Sequence, residues 1–382
     1  MKVLIVLTYY RPHISGLTIY VERLARALAK RGHQVTVLTS HYQHDLPMRQ
    51  VMDGVTVIRH PVLFRLSKGS IMPGFLSHAW KLMREHDVVS VHLPQAESGP
   101  LSFIGRVMAR KPVVLTYHCD LQLPIGFFNR LVDKLVYASN WVAGKFANRI
   151  VAYTQDYANH SPLLTQFKNK ITVIYPPVEM SVPNPDAVRA LKQKYNTNGH
   201  VVVGFAARFA AEKGVDYLLN SIPLVREKIP NVKYLLAGEY KNVIGENVWE
   251  RLQPQIQQYR EYLEFLGPIP AHEMGNFFGA CDVLTVPSIN STESFGLVQV
   301  EAMLSGCPVI ATNLPGVREV TRVTRMGTVV PIKDARALAD AIVAIAQNRS
   351  QYVRPRQDIA DMFEIDATIA AYEKLFSELQ TK

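Results

Sequence analysis

Two β-branched runs, Val283–Val286 and Val309–Ile310, stand either side of one short apolar helix, Leu297 to Leu304. Pro287 ends the first run, Gly306 stops the helix and Pro308 bars its continuation. Ser291, Thr292 and Ser294 offer N-cap oxygens just before the helix. A chain written strand, loop, helix, glycine, strand is an α/β chain. The same plan opens the sequence. Lys2–Leu7 is a continuous apolar strand. Ile19–Arg31 is a helix with Val21, Leu24 and Leu28 on one face, and Gln34–Thr39 is the next strand. A βαβ start implies a parallel sheet.

Later segments repeat the plan. Val55–Arg59, Val88–His92, Pro112–Tyr117, Arg149–Thr154 and Lys170–Ile174 read as strands. Leu101–Ala109 and Phe128–Ala147 read as helices. Tyr175–Asp186 is proline-rich and aperiodic, a linker between domains. His200–Ala207 then opens a second set of strands, and Asn247–Tyr262 reads as one polar helix.

Composition narrows the function classes. The chain has 382 residues, 48% of them apolar, enough for more than one core. The three cysteines, Cys119, Cys281 and Cys307, form no C-x-x-C, so neither a disulfide framework nor a zinc site is indicated. No run reaches the roughly 20 apolar residues of a membrane span, and Val3–Leu7 is too short for a signal sequence. A cytoplasmic protein is expected, peripheral at the inner face of a membrane. The net charge of +10 is one-sided: residues 1–180 hold 21 Lys and Arg against 10 Asp and Glu, and the rest is nearly neutral. No finger, RNA-binding aromatic string or long basic run accompanies that charge, so an anionic membrane surface is expected and nucleic acid is not. The segment from Leu63 to Phe75 interleaves Leu63, Phe64, Leu66, Ile71 and Met72 with Arg65 and Lys68. That mixture suits an interfacial loop and equally a lid or core loop.

The chemistry concentrates around the short helix. Glu293 precedes it and Glu301 lies inside it, eight residues apart, about 12 Å of helical rise, so the two do not form a ladder pair. Burying Glu301 unpaired would cost several kcal/mol, so it needs a partner or a cleft. Phe295, Gly296, Leu297 and Val298 present backbone N–H groups at the helix start, where the helix dipole favours an anion. A phosphate seat flanked by carboxylates that grip hydroxyls suits a phosphate-linked sugar. Taken alone, the same residues make an ordinary α/β unit with one solvated glutamate. Arg208 and Lys213 end the strand at Ala207, where two cations suit a diphosphate. His118 ends a buried strand, where open parallel sheets bind ligands. Asp120 would orient an acceptor or cap. Gly16 leaves room for an anion at the first helix start.

E-S-F-G-L-V-Q-V-E, followed by A-x-x-x-G-x-P-V-I-A-T, resembles the E-x7-E motif of the retaining glycosyltransferase family four. Thr116-Tyr117-His118 resembles the family's T-x-H, and Arg208 to Gly214 its Arg and K-G motif. Two departures stand out: Ser15-Gly16 replaces two adjacent glycines, and Pro315 replaces a common glycine.

The resemblance covers nearly the whole chain. It implies the GT-B fold, two Rossmann-like domains facing across a cleft. Residues 1–178 would bind the acceptor and 179–358 the nucleotide sugar, with 359–382 forming a helix that returns to the first domain. It implies retaining hexosyl transfer from a nucleoside diphosphate sugar to a glycan or lipid-linked acceptor; a UDP-sugar is expected before GDP-mannose only as the commoner donor. No metal or other cofactor is implied. His118, Glu293, Arg208 and Lys213 would be catalytic. Gly16, Phe295, Gly296, Leu297, Val298 and Glu301 would hold the donor. The alternative is a non-catalytic module binding a membrane surface or nucleic acid.

Overall fold

The computed structural model describes every residue except 67–68, 124–125, 242, 244–245 and 381–382. The chain divides into two compact units, Met1–Pro177 with Ile365–Lys382, and Val178–Glu364.

The first unit is built on eight strands. In chain order they are β1 (Lys2–Val6), β2 (Gln34–His41), β3 (Arg49–Met52) and β4 (Val55–Pro61). A separate hairpin, β5 (Phe64–Leu66) and β6 (Gly69–Ile71), comes next. Then follow β7 (Val88–Leu93), β8 (Val113–Tyr117), β9 (Arg149–Ala152) and β10 (Ile171–Val173). The sheet order is β10-β9-β8-β7-β1-β2-β4-β3. Every pairing is parallel except β3 with β4. The central strands are apolar at nearly every position because both faces are covered by helices. Leu4, Val6, Val89, Val91 and Leu115 meet in one core.

β3 was not expected from the sequence. Asp53 and Gly54, both at positive φ, turn the chain back into β4. The Leu63–Phe75 segment is also not one surface loop. Met72 and Phe75 are core residues, while Leu63 and Phe64 are exposed on the hairpin. The Arg65 guanidinium donates to the Tyr42 carbonyl and lies over the Tyr42 ring. Lys68 lies outside the described residues.

The last helix, Ile365–Gln380, belongs to this unit. Its Tyr372 hydroxyl sits 2.6 Å from that of Tyr20 and 3.0 Å from the Thr116 hydroxyl, fully buried.

The second unit holds six strands: β11 (Val201–Ala206), β12 (Val232–Ala237), β13 (Leu263–Gly267), β14 (Val283–Val286), β15 (Val309–Thr312) and β16 (Gly327–Val330). Their order is β13-β12-β11-β14-β15-β16, parallel throughout. The linker ends sooner than the sequence suggests. Asn184 caps a helix over Pro185–Lys194, its side chain accepting from the N–H groups of Asp186 and Ala187. The polar helix expected over Asn247–Tyr262 is broken into Val248–Arg251, Gln253–Gln258 and a 3₁₀ turn. Pro254 has no N–H to continue the ladder and starts a new helix instead.

Candidate active site

In each sheet the strand order reverses direction at one point, and open parallel sheets bind ligands at the carboxyl ends of the strands flanking that point. In the second unit these strands are β11 and β14. Arg208 and Lys213 follow β11, and Glu293 follows β14. Residues 80 positions apart in sequence therefore emerge side by side.

Backbone contacts stitch the two loops together. The Ile289 N–H donates to the Glu212 carbonyl at 2.9 Å. Gly214 is left-handed, φ +68°, and a Cβ there would lie 2.0 Å from the Pro287 carbonyl oxygen. The loop after β14 is braced from behind by the Thr312 hydroxyl, which donates to the Ser288 carbonyl at 2.6 Å. As a result Lys213 and Glu293 form a direct ion pair, both side chains about four-fifths buried. The Ser288 hydroxyl donates to the same carboxylate oxygen at 3.4 Å. Arg208 pairs with Glu212 at 3.1 Å.

The helix Leu297–Leu304 starts without the expected hydroxyl cap. Asn290 takes the N–H and hydroxyl of Thr292 in a local turn, and Gly296, left-handed at φ +74°, occupies the N-cap position. The entrance to the helix is therefore lined by backbone at Gly296, Leu297 and Val298. Phe295 points inward, its ring 5.9 Å from that of Phe363. Glu301 is 7% exposed.

Gln299 was not picked out from the sequence. It is fully buried, its amide N–H₂ donating to the Phe295 carbonyl at 2.7 Å and the Val317 carbonyl at 3.0 Å. The Thr321 hydroxyl donates to its amide oxygen at 3.0 Å. This side chain fixes the helix start against the neighbouring helix Val317–Thr324. A glutamine between two glutamates in an apolar helix was the available signal.

His118 and Gly16 lie in the first unit. Gly16 is the first residue of the helix Gly16–Lys30 rather than part of the loop before it, and open space surrounds the place of its missing Cβ. His118 was expected to face a cleft. It is 6% exposed, within a polar cluster. Its Nε2 is 2.9 Å from His92 Nδ1, and its Nδ1 meets the Tyr153 hydroxyl. Tyr20 packs edge-on against its ring at 5.0 Å. Asp120 is a brace, accepting from the hydroxyls of Tyr117, Tyr157 and Ser161 at 2.7–3.0 Å.

Burial depresses both imidazoles. His92 falls from 6.5 to about 3, and His118 falls well below 6.5, through burial first and the neighbouring His92 second. Both rings stay neutral in the fold. Below pH 6.5 the unfolded chain takes up protons that the folded rings refuse, so stability falls as pH drops from 6.5 toward 3. The expected slope is about 1.4 kcal/mol per pH unit for each ring. Thermal melts across this window check it, and His92→Gln should flatten the dependence by about 1.4 kcal/mol per pH unit.

Among the described residues, no group of three or more His, Cys, Asp or Glu side chains is placed to hold a metal ion. None of the described helices is long and apolar enough to cross a membrane.

Comparison with known proteins bears directly on this arrangement. Residues 14–182 match the model described as Glycosyltransferase Family 4, and residues 200–348 match that described as Glycosyl transferases group 1. The chain is a family-four glycosyltransferase. The non-catalytic alternative is thereby set aside. The glycosyltransferase is 26% identical to a phosphatidyl-myo-inositol mannosyltransferase of Mycobacterium leprae, over 96% of this chain and 94% of that protein. It is likewise 26% identical to a GDP-mannose-dependent alpha-(1-6)-phosphatidylinositol monomannoside mannosyltransferase of Mycolicibacterium smegmatis, over 89% and 87%. Its fold matches that of Anabaena HepE, solved in complex with UDP-glucose. There the TM-score is 0.78 at 19% identity, over 99% of this chain and 100% of that one. The fold of the glycosyltransferase is GT-B.

Proposed function

We propose that this glycosyltransferase moves a hexose, with retention at the anomeric carbon, from a nucleoside diphosphate sugar to a lipid-linked or glycan acceptor. The meeting of Lys213 and Glu293 supports this reading most. In a sugar diphosphate, anionic phosphate oxygens and neutral hydroxyls lie close together on either side of the anomeric carbon. A cation and a carboxylate already in contact can part to grip these two neighbouring groups. The ion pair then exchanges for a phosphate bond and a hydroxyl bond.

In this mechanism Lys213 and Arg208 stabilise the departing diphosphate, and the N–H groups of Leu297 and Val298 add to that field. They supply the charge without a divalent cation. Glu293 and the N–H groups of Phe295 and Gly296 orient the hexose, and Glu301 takes the ribose diol. The anomeric C–O bond to phosphate breaks as the acceptor oxygen bonds to the same face. The acceptor's proton passes to the departing phosphate oxygen. His118, neutral and held by His92 and Tyr153, is available to a sugar hydroxyl only if one of those two bonds yields.

GDP-mannose is the first donor to test, ahead of the UDP-sugar preferred above only as the commoner donor, because a relative aligned over 89% of this chain is GDP-mannose-dependent. A phosphoinositide-type lipid is the matching first acceptor, from the names of both relatives. Thermal shift and released nucleotide, with GDP-mannose, UDP-glucose and the free nucleotides in EDTA, test the donor half. A shift with one base and its sugar is expected. No shift with any nucleotide overturns the reading.

A further inference from the structure

The helix Phe127–Phe146 has two faces that disagree with its surroundings. One face is core: Val136, Asn140, Ala143 and Gly144 are buried. The opposite face should be polar on a surface helix. Instead Phe127 is 89% exposed and Leu135 62%, with Phe128, Leu131 and Trp141 also exposed. Phe127, Leu131 and Leu135 repeat every four residues and so form one line along the helix. From Phe127 to Trp141 the face runs about 21 Å.

The helix cannot roll to hide this face. Asn140 accepts from the Ser98 hydroxyl at 2.8 Å. At Gly144 the Phe167 ring lies so close that a Cβ would meet it at 2.5 Å. Both contacts lock the rotation that points Phe127 outward.

Cations edge the apolar line. Arg130 and Lys134 sit one turn along from Phe127 and Leu131 and are exposed. Lys145 is exposed too, its ammonium 4.7 Å from the centre of the Trp141 ring. Asp133 is the helix's single acid, and its carboxylate is turned toward the Leu123 N–H at 3.4 Å. Apolar side chains in a row, with lysine and arginine beside them and a tryptophan at the margin, match a lipid headgroup boundary. Long basic side chains reach lipid phosphates while the rings enter the acyl region.

We propose that this helix face is the surface by which the enzyme lies on an anionic bilayer, its partner being acidic phospholipid. The inference rests on the lipid-linked acceptor proposed above and names where the chain meets that acceptor's membrane. It differs from the Leu63–Phe75 segment singled out in the sequence, whose Arg65 is already engaged by Tyr42.

Flotation of the full chain with vesicles tests it. One set is phosphatidylcholine alone, the other equimolar phosphatidylcholine and phosphatidylglycerol. The wild type should bind the second and not the first. Phe127→Ser with Leu131→Ser should lower binding about ten-fold or more. Arg130→Glu with Lys134→Glu, which leaves the apolar line intact, should abolish the preference for anionic vesicles. All four substituted side chains are exposed, and thermal shift with nucleotide is read on the same preparations. Vesicle binding unchanged in both variants overturns the proposal. Wild type that ignores anionic vesicles but binds nucleotide overturns the surface and leaves the transfer reading standing. Vesicle binding without nucleotide binding does the reverse. A dimer that the serine variant converts to monomer, with no vesicle binding, assigns the face to a second copy and overturns the proposal.

Discussion

Lys213→Ala should lower turnover about 10²- to 10³-fold, the range found when one charge-stabilising donor is removed from a transition state. The lysine is placed by two loops, and among the described residues no other cation is paired with Glu293. Its loss removes the point charge proposed to face the developing diphosphate and leaves Glu293 with the 3.4 Å Ser288 contact. Breaking a pair this deeply set also costs about 1–2 kcal/mol of stability, between the exposed and buried limits. Glu293→Gln keeps a hydroxyl-binding amide and should retain nucleotide binding while losing most transfer. Steady-state kinetics separates the two. The lysine variant should bind free nucleotide diphosphate more weakly, and the glutamine variant should lose kcat with nucleotide affinity kept. Turnover within about three-fold of wild type for Lys213→Ala, far short of the loss expected for a charge-stabilising donor, would remove both residues from the proposed chemistry.

Gly214→Ala should be among the most damaging single methyl additions in the second unit. Alanine at φ +68° costs roughly 1 kcal/mol by itself. Steric contact costs more: a Cβ at 2.0 Å from the Pro287 oxygen meets backbone, which cannot rotate away. The two loops must separate, so about 3 kcal/mol or more is expected, or a melting temperature lower by about 6–12 °C. The same movement takes Lys213 from Glu293, so activity should fall beyond what stability explains. Gly16→Ala is the contrast. Open space surrounds that position at a helix start, so its melting temperature should hold. Melting curves and residual activity, measured well below each midpoint, check both. A Gly214→Ala protein as stable as wild type would mean the loops are not locked as described.

Much of this was legible in the sequence. Apolar runs ending in Gly or Pro marked the parallel strands because strands covered on both faces carry little else. Arg208, Lys213 and Glu293 were legible as motif residues, but the meeting of Lys213 with Glu293 was not, because it depends on β11 and β14 being neighbours. The missed hydroxyl cap has a similar cause. Three hydroxyl residues before a helix read as caps, yet Asn290 engages Thr292 and a left-handed glycine intervenes. Pro254 and Asp53-Gly54 were local signals that outweighed the longer patterns around them. His118 was read from its position at a strand end. Its burial is set by Tyr20, His92 and Tyr153, which no local pattern ties to it.

The helix Ile365–Gln380 carries a consequence for synthesis. Residues 178–364 form an unbroken length of chain, whereas the first unit takes its closing piece, with Tyr372, from residues made after all of the second unit. A ribosome therefore releases everything the second unit needs before the first can close over Tyr20. Until that helix emerges, the hydroxyls of Tyr20 and Thr116 have no Tyr372 to bond. A message cut short after residue 364 is felt at the beginning of the protein.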